Sequence, residues 1–174
     1  MPIWLITALM IRITSKGPII YSQERVGKNG EIFHIYKFRS MRIDAEEGGP
    51  QWALKNDPRV IPIGRFLRKS HLDEVPQFWN VLKGDMSLVG PRPEREFFIS
   101  KLTAEIPYYT RRLRVRPGIT SLYQAMFDKY DESLDDVKNK VKYDLMYIES
   151  MSFRLELKIL FRTAYIMFRG RGPA

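Results

Sequence analysis

Gly90-Pro91-Arg92-Pro93 divides the chain. Each proline fixes its own φ at about −65° and offers no N–H, so this stretch is neither helix nor inner strand. The elements must be laid out on either side of it. Ahead of it, Ser15-Lys16-Gly17-Pro18 is an earlier break. Ile19 to Arg25 and Ile32 to Arg39 then read as two strands, and Gly27-Lys28-Asn29-Gly30 suits the hairpin turn between them, because Gly and Asn tolerate positive φ. Residues 42–58 hold Gly48-Gly49-Pro50 and Asp57-Pro58 and read as a mobile loop. Arg59 to Lys69 carries Val60, Ile63, Phe66 and Leu67 at helical spacing. Ser70-His71-Leu72-Asp73 has capping-box form and is expected to start a helix that Gly84 ends. Beyond the proline pair, residues 94–106 read as a helix and Arg116-Pro117-Gly118 as a turn. Ser133 to Ser150 reads as a charged surface helix, and Ser152 to Phe168 as a largely apolar final one. The expected fold is α+β and mostly helical: a single domain with a small β-hairpin sheet.

Pro2 to Ile11 is apolar apart from Thr7, and Arg12 follows. A spanning helix needs about 20 apolar residues. This one is therefore either a buried helix or one that dips into a single leaflet. Lys and Arg total 29 against 20 Asp and Glu, a net charge of +9. That favours anionic partners such as nucleic acid, anionic lipid or phosphorylated substrates. With no cysteine, disulfides, thiolate metal sites and cysteine nucleophiles are excluded.

Several groups of residues could carry chemistry. Asp73-Glu74 stands at an expected helix start, where free amides and the helix dipole keep carboxylates ionised. Such a pair can supply a nucleophile or a Mg²⁺ ligand, or it can merely cap the helix. Arg92, held between two prolines, is either aimed at a phosphate or part of a rigid surface turn. Lys37 and Arg39 share one strand face, and Arg65, Arg68 and Lys69 share a helix face just before Asp73. They either surround the acidic pair with cations or form a solvated face. Arg111, Arg112, Arg114 and Arg116 could grip phosphates, an anionic membrane or DNA, although no zinc-ligand set, helix-turn-helix or RNA-binding signature accompanies them. The C-terminal segment interleaves Leu155, Leu157, Ile159, Leu160, Phe161 and Tyr165 with Arg154, Lys158 and Arg162. It suits a helix in a membrane interface or a buried amphipathic helix. His34 and His71 read as structural.

The motifs Gln23-Glu24-Arg25-Val26-Gly27, Tyr36-Lys37-Phe38-Arg39-Ser40-Met41, Leu72-Asp73-Glu74-Val75-Pro76-Gln77, Asn80 through Pro93 and Arg116-Pro117-Gly118-Ile119-Thr120 resemble, in order, the bacterial sugar transferases. These are monotopic phosphoglycosyl transferases that start exopolysaccharide, capsule and lipopolysaccharide repeat units. The resemblance implies that Asp73 attacks the β-phosphate of a UDP-sugar, releases UMP and carries a phosphosugar. The phosphate of undecaprenol or another polyprenol then displaces that group. It implies Asp73 and Glu74 as catalytic and metal-binding residues, with Mg²⁺ as cofactor and Glu74 orienting the metal or a proton. Lys37, Arg68, Arg92 and Arg116 are implied as phosphate-binding residues. The implied setting is the cytoplasmic face of the bacterial inner membrane, with no nucleic-acid partner and self-association left open. Similar enzymes open with a longer re-entrant helix bent at a Ser-Pro pair. Met1-Pro2 matches the bend, so residues 1–14 are expected to be a partial membrane-inserting helix and residues 15–174 the catalytic domain. The rival readings are a non-catalytic basic module that binds membrane or nucleic acid, and an inactive truncated copy. The resemblance does not give the sugar.

Overall fold

A computed structural model of the chain describes residues 3–51, 57–127 and 133–169. The first helix, α1 (Ile3–Thr14), is followed by the expected hairpin, β1 (Ile20–Val26) and β2 (Ile32–Phe38). The strands pair antiparallel from Ile20 opposite Phe38 to Val26 opposite Ile32. Asn29 (φ 58°) and Gly30 (φ 86°) make the turn in the left-handed conformation their residue types tolerate. The described part of the 42–58 loop is irregular apart from a Met41–Val60 bridge. Residues 52–56 lie outside the described residues.

That bridge and Pro62 explain why the next helix is shorter than expected. α2 runs Pro62–Lys69, with proline in its first turn. Ser70 does not start a helix. Its hydroxyl donates back to the carbonyl oxygens of Phe66 (2.8 Å) and Leu67 (3.2 Å), closing α2. His71 then turns left-handed at φ 55°, and Leu72–Glu74 form a single 3₁₀ turn. The helix proper, α3, begins only after Pro76, runs Gln77–Lys83 and ends on Gly84 at φ 88°.

The chain then forms a pairing that the sequence reading missed. β3 (Ser87–Val89) runs parallel to β4 (Gly118–Thr120), although the second was read as a simple turn. Two glycines allow it: a Cβ on Gly118 would lie 2.1 Å from the Gly90 nitrogen. Around this pairing lie α4 (Glu96–Glu105), α5 (Leu122–Met126), α6 (Leu134–Ser150) and α7 (Phe153–Phe168). Ser133 and Ser152 cap α6 and α7 by accepting the N–H of Asp136 and of Leu155.

Three apolar clusters hold these pieces together. Ile11, Phe38 and Leu67 join α1 to the hairpin and α2. Val89, Ala125, Tyr147 and Ile159 join β3 to the last three helices. Leu102, Ile106, Tyr109, Val137 and Val141 join α4 to α6. α6 is thus no mere surface helix, since it buries Lys140 and Asp144 as well as its apolar stripe. The fold is α+β and mostly helical, with a two-stranded hairpin. No helix among the described residues is long and apolar enough to cross a membrane.

Candidate active site

Asp73 and Glu74 are both buried, at 6% and 8% exposure. They project from the 3₁₀ turn between α2 and α3, not from a helix start, so the helix dipole is not what sets their charge. Burial and the neighbouring charges do that, and they treat the two residues differently. Lys37 on β2 donates to Glu74 Oε1 at 2.8 Å. Arg92 donates to the same oxygen through Nη2 and to Oε2 through Nη1 at 3.4 Å. Burial works to raise the pKa of Glu74, but the charges and hydrogen bonds of Arg92 and Lys37 prevail and hold it well below the usual range. In return Glu74 raises the pKa of Arg92. Burial lowers that of Lys37 against the pull of Glu74.

Asp73 has no hydrogen bond or ion pair among the described residues. Burial, reinforced by the neighbouring Glu74 charge, raises it to about 6 despite Lys37, Arg68 and Arg92. Nη1 of Arg68 is buried and likewise unpartnered. The Arg68 charge is near enough to Asp73 to pull its pKa down. Buried polar atoms are almost always satisfied, and Arg68 Nη1 is an exception to that rule.

The loop that carries Arg92 is pinned by all four of its carbonyls. Pro91 O accepts from Gly118 N (3.0 Å) and Glu94 O from Val26 N (2.9 Å). Arg92 O accepts from Arg112 Nη2 (2.8 Å), and Pro93 O from Arg25 Nη1 (2.9 Å). Arg112 is itself fixed by Asp144 (2.7 Å), and Glu94 by Lys140 (2.7 Å). Burial opposes ionisation of Glu94, yet Lys140, Arg25 and Arg112 lower its pKa to about 2. Sequence reasoning gave Arg25, Glu94, Lys140 and Asp144 no role in the site, and read Arg112 within a run that could grip phosphates, an anionic membrane or DNA. They come from separate segments, and nothing local links them.

The structure sorts the remaining cations. Lys37, Arg68 and Arg92 gather around the acidic pair, as expected. Arg116 does not join them: it is exposed, and its guanidinium lies beside Gly84 at the end of α3. Arg39 lies beyond the end of β2 and turns away from Lys37 to donate to the carbonyls of Lys16 and Ser15. Arg65 and Lys69 face solvent. The arginine run does not form one basic stripe either, because Arg112 is buried in its ion pair and Arg111 stacks on Tyr108.

The order of motifs noted above is supported by comparison with known proteins. The model of the family described as bacterial sugar transferase matches residues 1–170. This chain belongs to the bacterial sugar transferases. Within that family it is 44% identical over 98% of its length to a UDP-N-acetylgalactosamine-undecaprenyl-phosphate N-acetylgalactosaminephosphotransferase of Aeromonas hydrophila, covering 40% of that protein. It is 42% identical over 94% of its length to a UDP-glucose:undecaprenyl-phosphate glucose-1-phosphate transferase of Klebsiella pneumoniae, covering 36% of it. It is 39% identical over 90% of its length to an undecaprenyl-phosphate galactose phosphotransferase of Salmonella typhimurium, covering 34% of it. The chain thus spans well under half the length of these transferases, and their names carry three different sugars.

Proposed function

We propose that the chain transfers a sugar 1-phosphate from a UDP-sugar to a polyprenyl phosphate such as undecaprenyl phosphate. This is the opening reaction of a bacterial surface-polysaccharide repeat unit. The observation that supports it best is Asp73, a buried carboxylate with no partner inside a ring of cations. In this reading an Asp73 oxygen attacks the β-phosphorus of the UDP-sugar. The new Asp–O–P bond forms as the P–O bond to UMP breaks, and UMP leaves. A phosphate oxygen of the lipid then attacks the same phosphorus and frees the Asp73 carboxylate. Lys37, Arg92 and Arg68 hold the phosphate oxygens and offset the charge that spreads over them. Glu74 keeps Lys37 and Arg92 aimed.

Asp73 also bears on the metal. Mg²⁺ is commonly held by one or two carboxylates together with substrate phosphates. Asp73 offers such oxygens, whereas those of Glu74 already accept from Lys37 and Arg92. No group of three or more acidic or histidine side chains gathers among the described residues. Asp73 would be the residue to hold a Mg²⁺, and such an ion would supply charge neutralisation at the diphosphate.

The lipid acceptor calls for a membrane, and the surface supports one. Trp4, Leu5, Ile6, Leu9 and Ile13 are exposed on α1, and Phe78, Trp79 and Leu82 on α3. Phe153, Leu157, Phe161 and Tyr165 make an exposed apolar row on α7. The proposed setting is the cytoplasmic face of the bacterial inner membrane, where UDP-sugars are available. The test is UMP release from a panel of UDP-sugars with undecaprenyl phosphate and Mg²⁺. A phosphosugar adduct on Asp73, seen by mass spectrometry when the lipid is withheld, is the expected result. UMP release that survives Asp73→Asn would sink the nucleophile assignment.

A further inference from the structure

The two edges of the hairpin end differently. Arg39 N donates to Ile19 O, and Gly27 N to Glu31 O. With the observed register, these bonds make Tyr21, Gln23 and Arg25 the residues whose backbone bonds to β2. The backbone groups of Ser22, Glu24 and Val26 therefore point away from β2. Val26 confirms the phase, since its N–H goes to Glu94 O. On the far edge, Asn80 closes β2: its Oδ1 accepts from Tyr36 N (3.2 Å) and its Nδ2 donates to His34 O (2.7 Å). On the β1 edge, Ser22 and Glu24 have no backbone partner among the described residues.

That open edge lines a groove of about 350 Å³ whose other walls include Glu46, Pro50, Arg95 and Phe97. Side chains connect it to the acidic pair. Tyr21 stands directly across the hairpin from Lys37 and on the same face. Gln23 donates to Tyr21 Oη (2.8 Å) and Glu46 (3.1 Å) and accepts from Arg25 Nη2 (2.7 Å). Arg25 in turn holds the loop of Arg92. Its Nε is buried with no hydrogen-bond partner among the described residues.

We propose that this groove binds the uridine part of the nucleotide-sugar, with the Ser22–Glu24 edge reading the uracil ring. The inference rests on the UDP-sugar reading above and extends it to the base. Uracil carries an N–H donor beside carbonyl acceptors, the complement of the C=O and N–H that a strand edge presents. Cytosine reverses two of those groups, so it can meet the same edge only with its ring shifted, out of line with a diphosphate placed at Lys37. Phe97 and Tyr21 add flat apolar surface, and Lys37 lies one cross-strand pair away to receive the diphosphate.

The test is equilibrium binding of UMP, CMP and pyrophosphate to the parent chain, Ser22→Pro and Phe97→Ala. The proline removes an N–H that β2 does not use and is tolerated on a strand edge. Phe97 is exposed, so its loss leaves the core intact. Circular dichroism checks both folds. The expected result is tighter binding of UMP than CMP by the parent. UMP should weaken about tenfold in each variant while pyrophosphate binding stays unchanged. Equal binding of UMP and CMP by the parent, or UMP affinities unchanged in both folded variants, overturns the inference. The transfer reading fails separately: a parent chain that binds UMP but releases none from any UDP-sugar sinks transfer and leaves the groove standing.

Discussion

Asp73 and Asp144 are both buried carboxylates, yet their surroundings are opposite. Asp144 receives two bonds from Arg112, at 2.7 and 3.0 Å, and backs the loop that carries Arg92. Asp73 sits among cations but pairs with none. Burying an ion is costly unless it is paired, and burial raises the pKa of both; Asp144 has a direct ion pair with Arg112 to offset it, whereas Asp73 has no such contact among the described residues. On the proposed function, the contrast separates a carboxylate that builds the site from one that meets the substrate. Glu74 stands between the two cases, next to Asp73 in sequence but locked like Asp144.

This contrast can be broken by experiment. The largest expected effect is on Asp73: Asp73→Asn should lower UMP release by about a thousandfold or more, measured as single-turnover UMP formation. Next comes Arg112→Ala, which strands Asp144 and should cost about 3–5 kcal/mol in urea unfolding. Asp73→Asn should do the reverse to stability. The Asp73 pKa is raised by folding, so its contribution is fully present at low pH and lost as pH rises through about 6. The asparagine variant should therefore be more stable than the parent at pH 8, by up to about 3 kcal/mol, and no different near pH 3. An unchanged or lowered midpoint at pH 8 would mean that Asp73 is compensated after all. The same pKa predicts UMP release that climbs with pH through about 6. Glu74→Gln removes a charge that raises Asp73 and should move this limb of the pH–rate profile to lower pH. The smallest effect is on Arg116→Ala, which should cost less activity than Arg92→Ala, because only Arg92 reaches the acidic pair. Equal losses would bring Arg116 back into the site.

What was legible in the sequence depended on range. The hairpin was readable because Asn29 and Gly30 announce a left-handed turn. Arg92 stood out between two prolines and the acidic pair at an expected helix start, Lys37 and Arg68 came from strand and helix spacing, and their roles came from the family resemblance. Ser70 misled because it has the letters of a capping box, but its hydroxyl closes the helix behind it and Pro76 sets the start of the next. The β3–β4 pairing was invisible, since two three-residue strands far apart carry no period of their own. The frame of Arg25, Glu94, Arg112, Lys140 and Asp144 was hidden for the same reason. Each partner lies 20 or more positions from its mate, and a charge read alone looks like surface.

The four pinned carbonyls of residues 91–94 have a consequence for how this site comes into being. Their donors arrive from the hairpin, from the segment after α4 and from β4, and the ion pairs behind them from α6. None of these contacts is local, so Arg92 gains its direction only when distant stretches have all docked. A half-assembled chain could display its hairpin and several helices and still have an unaimed guanidinium. Catalytic competence should thus be among the last properties to appear during refolding and among the first to vanish on partial opening. Activity regained over time would then serve as a clock for completion of the whole domain.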